Sequence, residues 1–156
     1  MGPDKIDIAL PNEADTVALA TRIAPLLRVG DTLLLEGSIG AGKTAFARAL
    51  IRARLGRLEE VPSPTFTLVQ TYDDASGDIW HCDLYRLTHP DEVFELGLDD
   101  AFATAICLIE WPDRLGQVAP KDAATLAFTA KEVGHHVTIS APPAIGSRLA
   151  IAFQDA

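Results

Sequence analysis

In Thr32-Leu33-Leu34-Leu35-Glu36-Gly37-Ser38-Ile39-Gly40-Ala41-Gly42-Lys43-Thr44 an apolar run gives way to a glycine-rich one. The leucines read as a strand buried on both faces, the kind a parallel sheet uses. The stretch from Gly37 to Thr44 fits G-x-x-x-x-G-K-[ST]. Glycines let the backbone curl so that successive N–H groups point into one concavity that binds phosphate oxygens. The helix that follows offers its N-terminal N–H groups to the same anion. In that arrangement Ser38, Ile39, Gly40, Ala41 and Gly42 cradle phosphates, Lys43 reaches the outer ones, and the Thr44 hydroxyl binds Mg²⁺. From average residue usage, a random match in a chain of this length is on the order of 0.5%. The strand before it and the helical spacing after it therefore make a nucleotide site the expected reading.

Outward from this stretch the pattern alternates between strands and helices. Residues 6–10 alternate like a short edge strand, and Asn12 is a plausible N-cap with Asp15 adding charge to the first turn. Helical spacing follows to Leu27, with Pro25 loosening the last turn. The second helix spans 43–55. Residues 66–72 and 79–84 read as strands around the turn cluster Asp73-Asp74-Ala75-Ser76-Gly77-Asp78. Short helices are expected at 91–96 and 98–103. Ala105-Ile106-Cys107-Leu108-Ile109 is a second wholly apolar strand, ending at Glu110. Residues 123–130 and 136–140 complete the strands, with Gly134 at the turn between them. The expected fold is α/β: a P-loop NTPase-like three-layer domain over residues 1–156 with a central mixed, largely parallel sheet.

Composition agrees with one globular domain and excludes disordered, collagen-like and coiled-coil classes. The chain has 156 residues, 48% of them apolar and 22% charged. Its net charge of −9 makes it a poor stand-alone nucleic-acid binder. Cys82 and Cys107 sit in apolar runs and read as buried free thiols. No apolar run approaches the length of a membrane span, so a cytoplasmic protein is expected, with no membrane partner.

A phosphate loop needs an acidic partner for Mg²⁺ at the end of a neighbouring strand. Glu110 and Asp83 both qualify, and either one holds the metal or orients the attacking water. Three classes then compete: a GTPase switch, a small-molecule kinase, and an ATPase that drives a partner. The only asparagine is Asn12, so an Asn-Lys-x-Asp guanine reader is missing. No arginine-bearing lid segment of a kinase is evident. Arg48 and Arg52 share one helix face, either solvated or docking a partner. A nucleotide-gated binding module, for which hydrolysis is irrelevant, is the non-enzyme alternative.

Four blocks in order resemble one family: the phosphate loop, Ser63-Pro64-Thr65-Phe66, His81-Cys82-Asp83-Leu84-Tyr85-Arg86, and Ile109-Glu110-Trp111. They are similar to those of TsaE (YjeE), the P-loop ATPase component of bacterial tRNA threonylcarbamoyladenosine synthesis. The resemblance covers about residues 11 to 112 and is loose beyond Pro120. It implies a protein that binds ATP and Mg²⁺ and hydrolyses ATP slowly alone. It implies docking on the paired TsaB and TsaD subunits, with turnover resetting that complex for adenosine 37 of ANN-decoding tRNAs; tRNA is then reached through the complex. Lys43 and the loop amides would bind phosphates, Thr44 and Glu110 would hold Mg²⁺, and Asp83 with Thr65 would position water. Glu13 and Thr16 match a segment near the base. His135 and His136 stand where the family often carries an arginine. His81 either points at the phosphates with Asp83 or is structural. Tyr85 and Arg86 either cap the site or face a partner, or Tyr85 simply packs. Trp111 is either core packing or an interface anchor.

Overall fold

The order of elements is β1 (Asp4–Leu10), α1 (Glu13–Ile23), β2 (Thr32–Glu36), α2 (Lys43–Leu55), β3 (Val69–Asp74), β4 (Gly77–Asp83), α3 (Glu92–Glu95), α4 (Leu98–Thr104), β5 (Ala105–Glu110), β6 (Ala124–Ala130), β7 (His135–Ala141) and α5 (Pro143–Leu149). The structure is a computed structural model, and it describes residues 4–38, 42–56, 60–62, 64 and 68–153. The seven strands form one sheet in the order β1-β7-β6-β2-β5-β4-β3. β6, β2, β5 and β4 pair in parallel. The β1–β7, β7–β6 and β4–β3 ladders are antiparallel. The sheet is mixed as expected, but its parallel character is confined to the centre. β3–β4 and β6–β7 are hairpins with short turns, which join only antiparallel strands, and β1 adds to β7 from the other end of the chain.

β2 shows why an unbroken leucine run belongs at the centre. Leu33 and Leu35 enter a core with Phe46, Leu50 and Ile51 of α2 and Leu19 and Ile23 of α1. Leu34 packs against a second core on the opposite face, with Cys107 and Ile109 of β5, Val93 of α3 and Leu98 of α4. Each fully buried leucine contributes roughly 2 kcal/mol of apolar transfer. The two cores, one on each face, make the three layers.

Local chemistry sets the element ends. Asn12 Oδ1 accepts from the Asp15 N–H at 3.1 Å, and the Asp15 carboxylate accepts from the Asn12 N–H at 3.2 Å. This reciprocal box starts α1 as the sequence predicts. Pro25 turns the chain after α1 into a 3-10 turn over Ala24–Leu26. β3 begins at Val69, later than expected, and residues 65–67 lie outside the described residues. The six-residue turn cluster is also tighter than it reads, because Asp73 pairs with Asp78 and Asp74 with Gly77 in the ladder. Arg54 offsets the acidic charge there by binding the Asp74 carboxylate.

Further arginine contacts hold α2. Arg54 also donates to the carbonyls of Ala24 and Leu27 at 2.9 and 3.1 Å, and Arg48 donates to Val61 O at 3.1 Å. These side chains tie α2 to neighbouring loops. Among the described residues three elements escaped the sequence reading: the 3-10 runs Pro112–Val118 and Ala150–Phe153, and α5. α5 is clasped by Arg148, which donates to Leu26 O and, through both terminal nitrogens, to the Asp31 carboxylate at 2.6 and 2.7 Å.

Gly134 makes the β6–β7 turn in the left-handed region at φ +73°. A Cβ there would stand 2.5 Å from the carbonyl oxygens of Leu10 and Pro11. Both objections are to backbone, which has little room to yield. Gly134→Ala is expected to cost about 2–4 kcal/mol, read as a lower denaturant midpoint at unchanged slope; an unchanged midpoint would refute the close approach.

Cys82 and Cys107 are buried and unbridged, as expected. Burial pushes the Cys107 thiol up to about 12 and Cys82 well above the ordinary thiol value. The reactive species is the thiolate. Neither cysteine should be alkylated by iodoacetamide at pH 8 in the folded protein, while both should react in denaturant; mass spectrometry decides this. Among the described residues no helix is long and apolar enough to cross a membrane.

Candidate functional site

The site forms where β2 and its two parallel neighbours end. In register, Leu35 of β2 lies beside Glu110 of β5, and Glu110 lies beside Asp83 of β4. Both acids thus emerge at the edge of the sheet from which α2 departs. Gly42 precedes α2 at φ +105°, a left-handed conformation that favours glycine. Lys43 and Thr44 then open α2, the end of a helix that attracts anions.

The polar groups meet closely. Thr44 Oγ1 lies 2.9 and 3.1 Å from the two carboxylate oxygens of Glu110. The second of those oxygens is 2.7 Å from His81 Nε2. Lys43 Nζ donates to Gly37 O at 2.7 Å and lies 3.5 Å above the Trp111 ring centroid, a cation–π contact. Burial pulls the Lys43 ammonium below its ordinary range, against the charges of Glu110, Asp83 and Asp113, which hold it up. Asp83 is buried, and its Oδ1 accepts from the Tyr85 N–H at 3.0 Å.

Trp111 is placed by its backbone. It adopts φ +59°, rare for a bulky residue, directly after Glu110. Such a conformation costs on the order of 1–3 kcal/mol and is sustained by its surroundings. It turns the chain out of β5 into the 3-10 run and lays the indole between Lys43 and Tyr85. The Tyr85 and Trp111 ring centroids are 4.9 Å apart. The Arg114 guanidinium stands 6.0 Å from the Tyr85 ring. Trp111 also packs on the second core, the first of the two roles considered for it. Tyr85 is exposed and stacks over the site.

Lys43, Thr44, Asp83, Tyr85, Glu110 and Trp111 line a cavity of about 670 Å³. Asn12, Glu13 and Thr16 from the start of α1 form one wall, and Gly134 and His135 form another. The tight seat of Gly134 on the β1–α1 connection brings these walls together. Arg86 and His136 do not line the cavity. Ser38 borders a neighbouring depression with Gly37, Trp111 and Asp113. Ile39, Gly40, Ala41 and Thr65 lie outside the described residues. Sequence reasoning missed the Lys43–Trp111 contact, whose only trace is the adjacency of Trp111 to Glu110. It also missed that Asn12 both caps α1 and lines the cavity.

The donor set suits Mg²⁺. Thr44 and Glu110 present hard oxygens in contact with each other, with Asp83 one strand away. Among the described residues no group of three His, Cys, Asp or Glu side chains forms a complete cage, and Mg²⁺ is usually shared between one or two carboxylates and substrate phosphates.

Residues 10–137 match the model of TsaE, "Threonylcarbamoyl adenosine biosynthesis protein TsaE". The chain belongs to the TsaE family. The TsaE protein of Bacillus subtilis is 36% identical over 88% of this chain and 84% of its own length. That of Haemophilus influenzae is 31% identical over 94% of this chain and 96% of its own length. That of Rickettsia felis is 43% identical over 68% of this chain, and the match spans only 62% of its own length. A crystal structure of Bacillus subtilis YdiB superposes with a TM-score of 0.78 at 27% identity, covering 99% of this chain and 95% of that one. The TsaE match takes in all the site residues named above, while most of β1 and all of α5 fall outside it.

Proposed function

We propose that this TsaE-family chain binds ATP with Mg²⁺ and hydrolyses it weakly as a subunit required for threonylcarbamoylation of adenosine 37 in ANN-decoding tRNAs. The curated relatives carry the name "tRNA threonylcarbamoyladenosine biosynthesis protein TsaE". The observation that carries the nucleotide reading is the contact of the Thr44 hydroxyl with the Glu110 carboxylate, beside the buried Lys43 at the mouth of α2.

In this reading the Lys43 ammonium moves from Gly37 O and the Trp111 ring onto the phosphates, for which a charge-assisted bond is stronger. Ser38, Ile39, Gly40, Ala41 and Gly42 supply loop amides. Thr44 and Glu110 would hold Mg²⁺, which would supply positive charge for the phosphate oxygens. Asp83, with Thr65, orients the attacking water. Glu13 and Thr16 border the base, and Tyr85 and Trp111 close over the phosphates. Little covalent chemistry is asked of the protein, because phosphoryl transfer depends on positioning and charge. With Lys43 and Mg²⁺ as the cations this scheme places on the phosphates, turnover stays slow until a partner completes the site. That partner is the paired TsaB and TsaD subunits, whose cycling the ATPase drives; tRNA is contacted through them, in the cytoplasm.

The test is titration of ATP-Mg²⁺ by calorimetry, followed by pull-down with TsaB and TsaD with and without ATP. Saturable binding with ATP-dependent capture is the expected result. No heat at millimolar ATP-Mg²⁺ would overturn the nucleotide reading. Stoichiometric phosphorylation of a small acceptor would replace it with a kinase.

A further inference from the structure

His81 is fully buried in the middle of a rigid strand, yet only one of its ring nitrogens is engaged. Nε2 meets Glu110 Oε2 at 2.7 Å. Nδ1 is buried without a hydrogen-bond partner among the described residues. A carboxylate only accepts hydrogen bonds, so the N–H must sit on Nε2.

The geometry of the acid explains what this bond does. One carboxylate oxygen of Glu110 accepts from Thr44 at 2.9 Å, while the other is shared by Thr44 at 3.1 Å and His81 at 2.7 Å. Without His81 the carboxylate keeps its bond to Thr44 but is free to rotate about its last torsion, which is broad for glutamate. β4 carries His81 next to Leu108 and Asp83 next to Glu110 in the parallel ladder. His81 therefore approaches Glu110 from within the sheet, away from the cavity mouth, and does not line the cavity.

We propose that His81 is a positioning residue: through its Nε2–H it fixes the Glu110 carboxylate against Thr44 in the orientation that receives the divalent cation. The inference rests on the nucleotide–Mg²⁺ reading above. It assigns His81 no contact with nucleotide. Partners of this kind typically alter metal affinity by about 10–100-fold.

Two measurements test it. The first needs no variant and no metal: ¹⁵N spectra of the imidazole in the wild-type protein should show Nε2 protonated and hydrogen-bonded. A ring protonated at Nδ1 alone overturns the inference. The second compares wild type with His81→Leu and His81→Gln, since a glutamine amide can replace the Nε2–H donor. Mn²⁺ binding in the presence of ADP is followed by EPR, and ADP binding in EDTA by calorimetry. His81→Leu should weaken Mn²⁺ about 10-fold or more with ADP affinity in EDTA unchanged, and His81→Gln should restore most of the loss. Should His81→Leu fail to fold, a folded His81→Gln with wild-type Mn²⁺ affinity supports the inference, and one that has lost it overturns it. Equal Mn²⁺ affinity in wild type and His81→Leu sinks the positioning role alone. Failure of the wild type itself to bind Mn²⁺ with ADP sinks the nucleotide reading and the inference with it.

Discussion

Lys43→Ala is expected to weaken ATP binding by roughly 100-fold, the loss of about 3 kcal/mol of charge-assisted hydrogen bonding. The same change should leave the folded state nearly as stable as before. Sequence reasoning expects this because a loop lysine seldom supports a core, but the structure gives a different reason. Lys43 is buried at the start of α2. Its bond to Gly37 O and its seat on Trp111 favour the folded state. The desolvation that pulls its ammonium below the ordinary range opposes them. Alanine removes both sides of that balance. Calorimetry gives the affinity and thermal denaturation the stability. Wild-type affinity, or a Tm loss as large as that of a truncated core leucine, would contradict this account.

Glu110 should divide metal from nucleotide. Glu110→Gln keeps the size of the side chain and an acceptor for Thr44 but removes the charge that attracts Mg²⁺. Hydrolysis, alone or with partners, should fall at least about 100-fold, while ADP affinity in EDTA stays within a few-fold. Glu110→Ala is expected to be worse in a second way. It strands the buried His81 N–H and leaves Thr44 without its acceptor, which costs about 1–3 kcal/mol. The pair of variants therefore separates a chemical role from a structural one by steady-state turnover and by melting. Turnover unchanged in Glu110→Gln would show that the carboxylate charge is not needed, and Asp83 would then be the candidate for the metal.

Much of the fold is legible in the sequence because its signals are local. Asn12 and Asp15 predict their own capping box. The wholly apolar runs at β2 and β5 predict strands covered on both sides. Gly56 at φ +69° ends α2 where the helical spacing stops. What was not legible is of two kinds. The turn cluster at 73–78 is rich in aspartate and reads as loop, yet Arg54, from a distant helix, lets Asp74 join the ladder. α5 has a proline at its start and Gly146 inside it, so its local signal is poor. The glycine is there because a Cβ would meet Ala141 O at 3.3 Å.

The sequence by itself determined the glycine-rich stretch before α2, the alternation of strands and helices, and two candidate acids, since these depend on residue type and spacing along a few neighbouring positions. Only the tertiary structure decided which acid meets Thr44, that His81 stands behind that acid, and that Trp111 lies against Lys43. Those relations depend on strand order and on one left-handed backbone turn. They join residues as far apart as Thr44 and Glu110 through the sheet, across distances that no local pattern encodes.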